Sequence, residues 1–232
     1  MDPVYNVLVF FIDSIRGGDV GLAIIATVVV VKVLLYPLSL KAVKTQKLQK
    51  ELEPVMKEIK EKYQGDREAA AKATMAAYKD AGMNPFASIL VVFLQLPFLI
   101  ALYLAVSNGG GVPLPGINFD LLYSFIPRPS MVSMDFIGLF NISEKSMVLA
   151  GLAGATQFIA TWFSMPTIAK KEPGAKENFK DDFARNMQLQ MKFVMPLMII
   201  FIAYTFSAAI ALYFVVSNLV TITQEFFIRK HR

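Results

Sequence analysis

Val20-Gly-Leu-Ala-Ile-Ile-Ala-Thr-Val-Val-Val-Val-Lys32-Val-Leu-Leu-Tyr-Pro-Leu-Ser-Leu40 is one apolar run with a single charge inside it. As a helix rising ~1.5 Å per residue it reaches about 30 Å, the thickness of bilayer hydrocarbon. Its apolar residues follow neither the strand period nor the helix period that would reserve a face for water. The solvent that suits such a run is lipid. Three further blocks read the same way, from about Phe86 to Val106, Met147 to Ile168 and Met191 to Ile228. The last is too long for one untilted crossing and barely long enough for two. A turn within it would fall near Phe206-Ser207-Ala208, although neither Gly nor Pro marks the place.

Charge decides the count. The chain has 232 residues, 55% of them hydrophobic, a mean hydropathy of +0.50 and a net charge of +5. Lys41–Asp80 holds ten Lys/Arg residues, Lys170–Lys192 six and the tail (Arg229, Lys230, Arg232) three, together 19 of the 23. The bias of basic residues toward cytoplasmic loops puts all three segments inside. Lys170–Lys192 and the tail share a side only if the block between them crosses twice. The expectation is an all-α membrane protein of five spans, N-terminus outside and C-terminus cytoplasmic. The excess positive charge then reflects topology and contact with anionic lipid, or with RNA, at one membrane face. No DNA partner is expected. With no cysteine and one histidine, His231 in the tail, disulfide, thiolate and metal chemistry have no basis, and no cofactor is expected.

No composition shift marks a second folded domain. Residues 1–19 read as an interfacial helix on the outer side, with Val4, Leu8, Val9 and Ile12 apolar and Asp13–Asp19 polar. They lack the basic start of a cleavable signal and the composition of a transit peptide, which points to a bacterial plasma membrane. Residues 20–232 form the core. Within it, 41–84 is read as a cytoplasmic antiparallel helical hairpin. Leu48, Leu52, Val55, Ile59 and Tyr63 make one helical stripe. Gly65-Asp66 makes the turn, and Ala70, Ala73, Ala77 and Ala81 make the second stripe. Pro54 should bend the first helix, and Gly82, Asn84 and Pro85 should end the hairpin. The outer segment Ser107–Ser146, rich in Gly and Pro, reads as a loop on the membrane surface.

Lys32 carries the functional question. Lys41 lies nine residues on, so a continuous helix would hold Lys32 roughly 13 Å from the cytoplasmic end. A lysine at that depth costs about 2.5–3.5 kcal/mol on insertion scales. The spans hold no carboxylate except Glu225, near the end of the last. The groups that remain are Gln95, Gln157, Thr161, Ser217 and Asn218. Gln157 and Thr161, four apart, share a helix face. The simplest arrangement gathers these groups around Lys32 in a hydrated pocket open to the cytoplasm, with the lysine as an unoccupied counter-charge for a carboxylate that arrives with a substrate. The competing reading is a lysine that snorkels and anchors its helix. Gln or Ser alone in a span is more often helix–helix glue.

Several stretches carry a family resemblance: Tyr36-Pro-Leu-Ser-Leu-Lys41 before the charged Gln46–Tyr63 helix, Met83-Asn-Pro-Phe86, Leu94-Gln-Leu-Pro-Phe98 running to Tyr103, Met195-Pro-Leu-Met198 and Ala211-Leu-Tyr-Phe-Val-Val-Ser-Asn218. In this order, from about Val20 to Ile228, the chain resembles the YidC-type membrane protein insertases, relatives of the mitochondrial oxidase-assembly and thylakoid insertases. The resemblance implies five transmembrane helices around a hydrophilic groove, open to cytoplasm and lipid and closed to the outside. A cation in the first core span would transiently attract acidic residues of a nascent membrane protein, whose tail crosses while its apolar segment slides into lipid. On that basis Lys32, Gln95, Gln157, Thr161, Phe214 and Ser217 line the substrate groove. Nascent membrane proteins are the implied partners, with the ribosome, signal recognition machinery and a secretion channel as further ones. The chain departs from the family pattern in having Lys32 where arginine is usual, Phe214 where many members have tryptophan, and its glutamine at Gln157 rather than nearer Ala160-Thr161. Lysine keeps the charge and loses arginine's forked donors.

Two other functions compete. A small transporter for an anionic solute would use Lys32 as its binding cation, but the chain has no internal repeat and no paired broken spans. A non-translocating scaffold for membrane complexes would be indifferent to Lys32. Enzymatic catalysis is not expected: no nucleophile–base pair is visible, and Asp120, Asp135 and Glu144 have no acid–base spacing. No GxxxxGK[ST] motif offers a nucleotide site.

Overall fold

A computed structural model of the chain describes residues 2–82, 86–164 and 179–230. Outside them lie Met83-Asn84-Pro85, the end of the third apolar block beyond Ser164, the first part of the basic segment that follows it, and His231. The chain divides into two units, Met1–Val33 with Pro97–Arg232, and Leu34–Leu96.

Among the described residues there are nine α-helices: α1 Asp2–Ser14, α2 Val20–Leu34, α3 Tyr36–Glu51, α4 Glu53–Lys62, α5 Arg67–Asp80, α6 Phe86–Ser107, α7 Met147–Ser164, α8 Phe179–Thr205 and α9 Ala208–Lys230. Two of them, Met147–Ser164 and Ala208–Phe227, are long and apolar enough to cross a membrane by themselves. The broken pair Val20–Leu34 and Tyr36–Thr45 qualifies if taken as one span. Phe93–Ser107 and Lys192–Thr205 are shorter apolar stretches. Trp162, Phe201 and Phe226 stand more than half exposed on their helices. Apolar surface of that extent suits hydrocarbon.

The first apolar run is thus not one continuous helix, and the roughly 13 Å placement of Lys32 within it does not hold. Pro37 has no N–H to give, and its ring crowds the carbonyl four residues back. The ladder stops at Leu34, and Leu35 accepts from Leu38 and Ser39 at 3.1 and 2.9 Å to start the next helix. Pro54 acts as the sequence suggests: α3 ends at Glu51, and α4 begins with proline in its first turn.

In the second unit, α4 and α5 pack on each other across residues 63–66. Asp66 caps α5, its carboxylate accepting from the amides of Glu68 and Ala69 at 3.1 and 2.9 Å. Ile59, Tyr63, Ala70, Ala73 and Ala77 are half-buried, while Lys57, Lys62, Lys72 and Lys79 are exposed.

In the first unit, α7 packs against both α8 and α9. Gly154 makes this closeness possible, because a Cβ there would run into Ile200 of α8. The break between α8 and α9 falls at Phe206-Ser207 without Gly or Pro. Its free amides are met from elsewhere: Ala208 N–H donates to the Glu144 carbonyl at 2.6 Å, and Ala209 N–H to that of Ile142 at 3.1 Å. Those carbonyls belong to the Ser107–Ser146 segment, which is folded. It carries a 3-10 turn, Phe119–Leu121, and an antiparallel hairpin of β1 Asp135–Phe136 and β2 Phe140–Asn141.

The first helix packs its apolar face on the rest of its unit. Tyr5, Leu8, Val9 and Ile12 are buried in the core of this unit. Asn6 ties α1 to the Ser107–Ser146 segment, donating to the Leu121 carbonyl at 2.8 Å and accepting from the Tyr123 amide at 2.7 Å. The Tyr5 hydroxyl accepts from the Asn118 amide at 2.8 Å.

Candidate functional site

Lys32 lies in the last turn of α2, two residues before the helix ends at Leu34. Carbonyls without an in-helix partner and the negative end of the helix dipole favour a cation there. Its side chain is half-buried. The ammonium donates a long hydrogen bond, 3.4 Å, to the Thr221 hydroxyl of α9. That hydroxyl in turn donates its own proton to the Ser217 carbonyl at 2.9 Å. With its proton committed, Thr221 presents lone pairs to Lys32. The lysine therefore rests on a neutral acceptor. Among the described residues no carboxylate lies within ion-pair distance of it.

Ser217 and Thr221 are one helical turn apart on α9 and share a face. Ser217 is buried. Asn218, about 100° further round, points to α7: its amide approaches the Thr156 hydroxyl at 3.3 Å and the Ala153 carbonyl at 3.4 Å. On α7, Gln157 donates to the Thr161 hydroxyl at 3.2 Å. The shared face read from their spacing is therefore real, and Thr161 is buried. Phe214, half-buried, packs on the core and meets the Tyr213 ring edge-on at 5.3 Å. Gln95 is half-buried on α6, within Leu34–Leu96.

Of the residues expected at the site, the structure links Lys32 to the Ser217 turn through Thr221, and Gln157 to Thr161. Sequence reasoning missed Thr221. Its signal was the four-residue spacing from Ser217, the same spacing that paired Gln157 with Thr161. Lys192, counted at the end of the basic Lys170–Lys192 segment, is only 8% exposed. Its ammonium lies 5.0 Å from the centre of the Trp162 ring, a cation–π contact worth roughly 0.5–2 kcal/mol.

Comparison with known proteins gives the chain a family. The family model described as 60Kd inner membrane protein matches residues 11–232. A membrane protein insertase YidC of Clostridium tetani is 30% identical over 223 residues, 95% of this chain and 87% of its own length. The insertase YidC of Fusobacterium nucleatum is 28% identical over 236 residues, 99% of this chain and 98% of its own. The membrane protein insertase MisCA of Bacillus subtilis is 28% identical over 228 residues, 96% of this chain and 75% of its own. None of these relatives supports the solute-transporter alternative.

Proposed function

The chain belongs to the 60Kd inner membrane protein family, and from that premise we propose that it inserts nascent proteins into a bacterial plasma membrane, with Lys32 as the resting cation of a hydrophilic groove. The observation that carries the reading is the Lys32–Thr221 contact. A charge in an apolar helix rests on a neutral hydroxyl, leaving its electrostatic demand for an arriving carboxylate.

The physics is an exchange. A polar tail cannot cross about 30 Å of hydrocarbon with its amides unpaired. A wet groove reaching partway shortens the dry distance, and a cation at its end offsets part of the desolvation of an acidic side chain. Burial of the substrate's apolar segment in lipid, at ~25 cal/mol per Å², drives the remainder. No nucleotide is required.

In this reading five spans cross the membrane, residues 41–84 form a cytoplasmic antiparallel hairpin, the N-terminus is outside and the C-terminus inside. Hydrogen bonding supports that topology. The N-terminal ends of α2 and α9 bond the same outer segment, at Val20 and at Ala208-Ala209, and α7 starts directly from it. The segments that leave the opposite ends of these helices carry the concentrated Lys and Arg. Ribosome, signal recognition machinery, secretion channel and anionic lipid are partners that the basic hairpin and tail would engage.

The test is photocrosslinking to a stalled nascent chain with one acidic tail and one apolar segment. Probes at Gln157, Phe214 and Thr221 are expected to capture the chain, while a probe at the outward Leu152 of α7 captures lipid. Capture from Leu152 alone would overturn the groove.

A further inference from the structure

The tip of the β1–β2 hairpin, Ile137-Gly138-Leu139, is anomalous in two independent ways. Ile137 has φ +47°, the left-handed region that a β-branched residue rarely enters and that Gly or Asn occupies at lower strain. Ile137 and Leu139 are also 54% and 70% exposed. A strained backbone that displays apolar side chains to solvent gains nothing from packing. The strain is held in place by Asp19, whose carboxylate accepts from the Ile137 amide at 2.8 Å and from the Leu22 amide, in the first turn of α2, at 2.9 Å.

Asp19 also fixes where the tip sits. One carboxylate bonds the hairpin tip and the start of α2, so the two are at one level. The strand pair is tied further to the start of α9 through the Ile142 carbonyl, and α7 begins five residues after Ile142, at Met147. Met147 and Val148 are themselves exposed. The apolar tip is thus level with the ends of helices that meet lipid. We propose that Ile137-Gly138-Leu139 is a membrane anchor, seated in the leaflet into which the N-terminal ends of α2 and α7 open. It holds the folded outer segment against the bilayer and sets the depth of those helix ends. Apolar side chains at the headgroup boundary gain burial in lipid without crossing it. The anchor rests on the membrane-spanning reading of the chain, and its test separates the two.

The chain has no native cysteine, so single labels need no background changes. Nitroxides would be placed by Leu139→Cys, Asp135→Cys and Leu152→Cys in protein reconstituted into phosphatidylcholine–phosphatidylglycerol vesicles. Power saturation would compare collisions with oxygen, enriched in hydrocarbon, and with a water-soluble nickel chelate. The anchor requires the Leu139 label to favour oxygen, as the Leu152 label does, while the Asp135 label favours nickel. A Leu139 label as open to nickel as Asp135 would overturn it, and so would one shielded from both reagents, which marks a protein cover. A nickel-accessible Leu152 label would instead overturn the spanning reading itself. Ile137→Gly gives an independent check: the melting temperature in detergent should hold or rise as strain is released, while the Leu139 label moves toward water. A lower melting temperature would make Ile137 a packing residue and contradict the proposal.

Discussion

Lys32 and Thr221 form a pair in which each partner's chemistry is limited by its neighbours. The hydroxyl proton is spent on the Ser217 carbonyl, so Thr221 can only accept from the lysine. Thr221→Val removes that acceptor and supplies no charge. Insertion of a substrate with an acidic tail should stay within about twofold of wild type, since the arriving carboxylate is the stronger partner. Thr221→Asp supplies an internal counter-charge that competes with the substrate, and the same assay should show a drop of tenfold or more, about 1.4 kcal/mol. Equal rates for the two variants would contradict an unoccupied counter-charge. Asp19 is a second residue with two tasks, since it caps α2 and holds Ile137. Asp19→Ala should destabilise the protein by about 1–2 kcal/mol, the range for a lost helix cap, read as a lower melting temperature in detergent.

Helix packing turns on small residues and on breaks. Gly154 lets α7 approach Ile200 of α8. Gly154→Leu should destabilise by roughly 1–3 kcal/mol, and Ile200→Ala in the same chain should recover part of the loss. Strict additivity of the two would show that they do not meet. The breaks show what local sequence can reveal. Pro54 was legible as a bend because proline removes a helix hydrogen bond and its ring crowds the preceding turn. Pro37 carries the same signal, yet hydropathy averaged it away inside an apolar run, and with it the end of α2 beside Lys32. The turn at Phe206-Ser207 was legible only through charge on either side, because the carbonyls that stabilise it, Ile142 and Glu144, lie more than 60 residues earlier in the chain. The docking of α1 through Asn6 was illegible for the same reason: its partners Leu121 and Tyr123 are 115 and 117 residues away. Thr221 was within reach of the helical-spacing rule.

For the whole molecule, the decisive property is which parts meet lipid, which meet water and which meet substrate. Charge segregation carries the proposed topology, since three basic segments hold 19 of the 23 Lys and Arg residues. Single-cysteine labelling of intact right-side-out cells checks it: Ser143→Cys should react with a membrane-impermeant maleimide from outside, and Lys79→Cys only after lysis. The reverse pattern would invert the molecule. The central claim is that the cation of α2 acts on the charge of the substrate. Its most direct test is a charge swap, in which a single-span substrate with an acidic, a neutral or a basic tail is presented to proteoliposomes holding wild-type protein, Lys32→Arg, Lys32→Ala or Lys32→Glu. Tail translocation is scored by protease protection. The account predicts that Lys32→Arg inserts the acidic tail near the wild-type rate, that Lys32→Glu blocks it, and that Lys32→Glu still inserts the basic tail. Insertion of the acidic tail at wild-type rates by both Lys32→Ala and Lys32→Glu would contradict it.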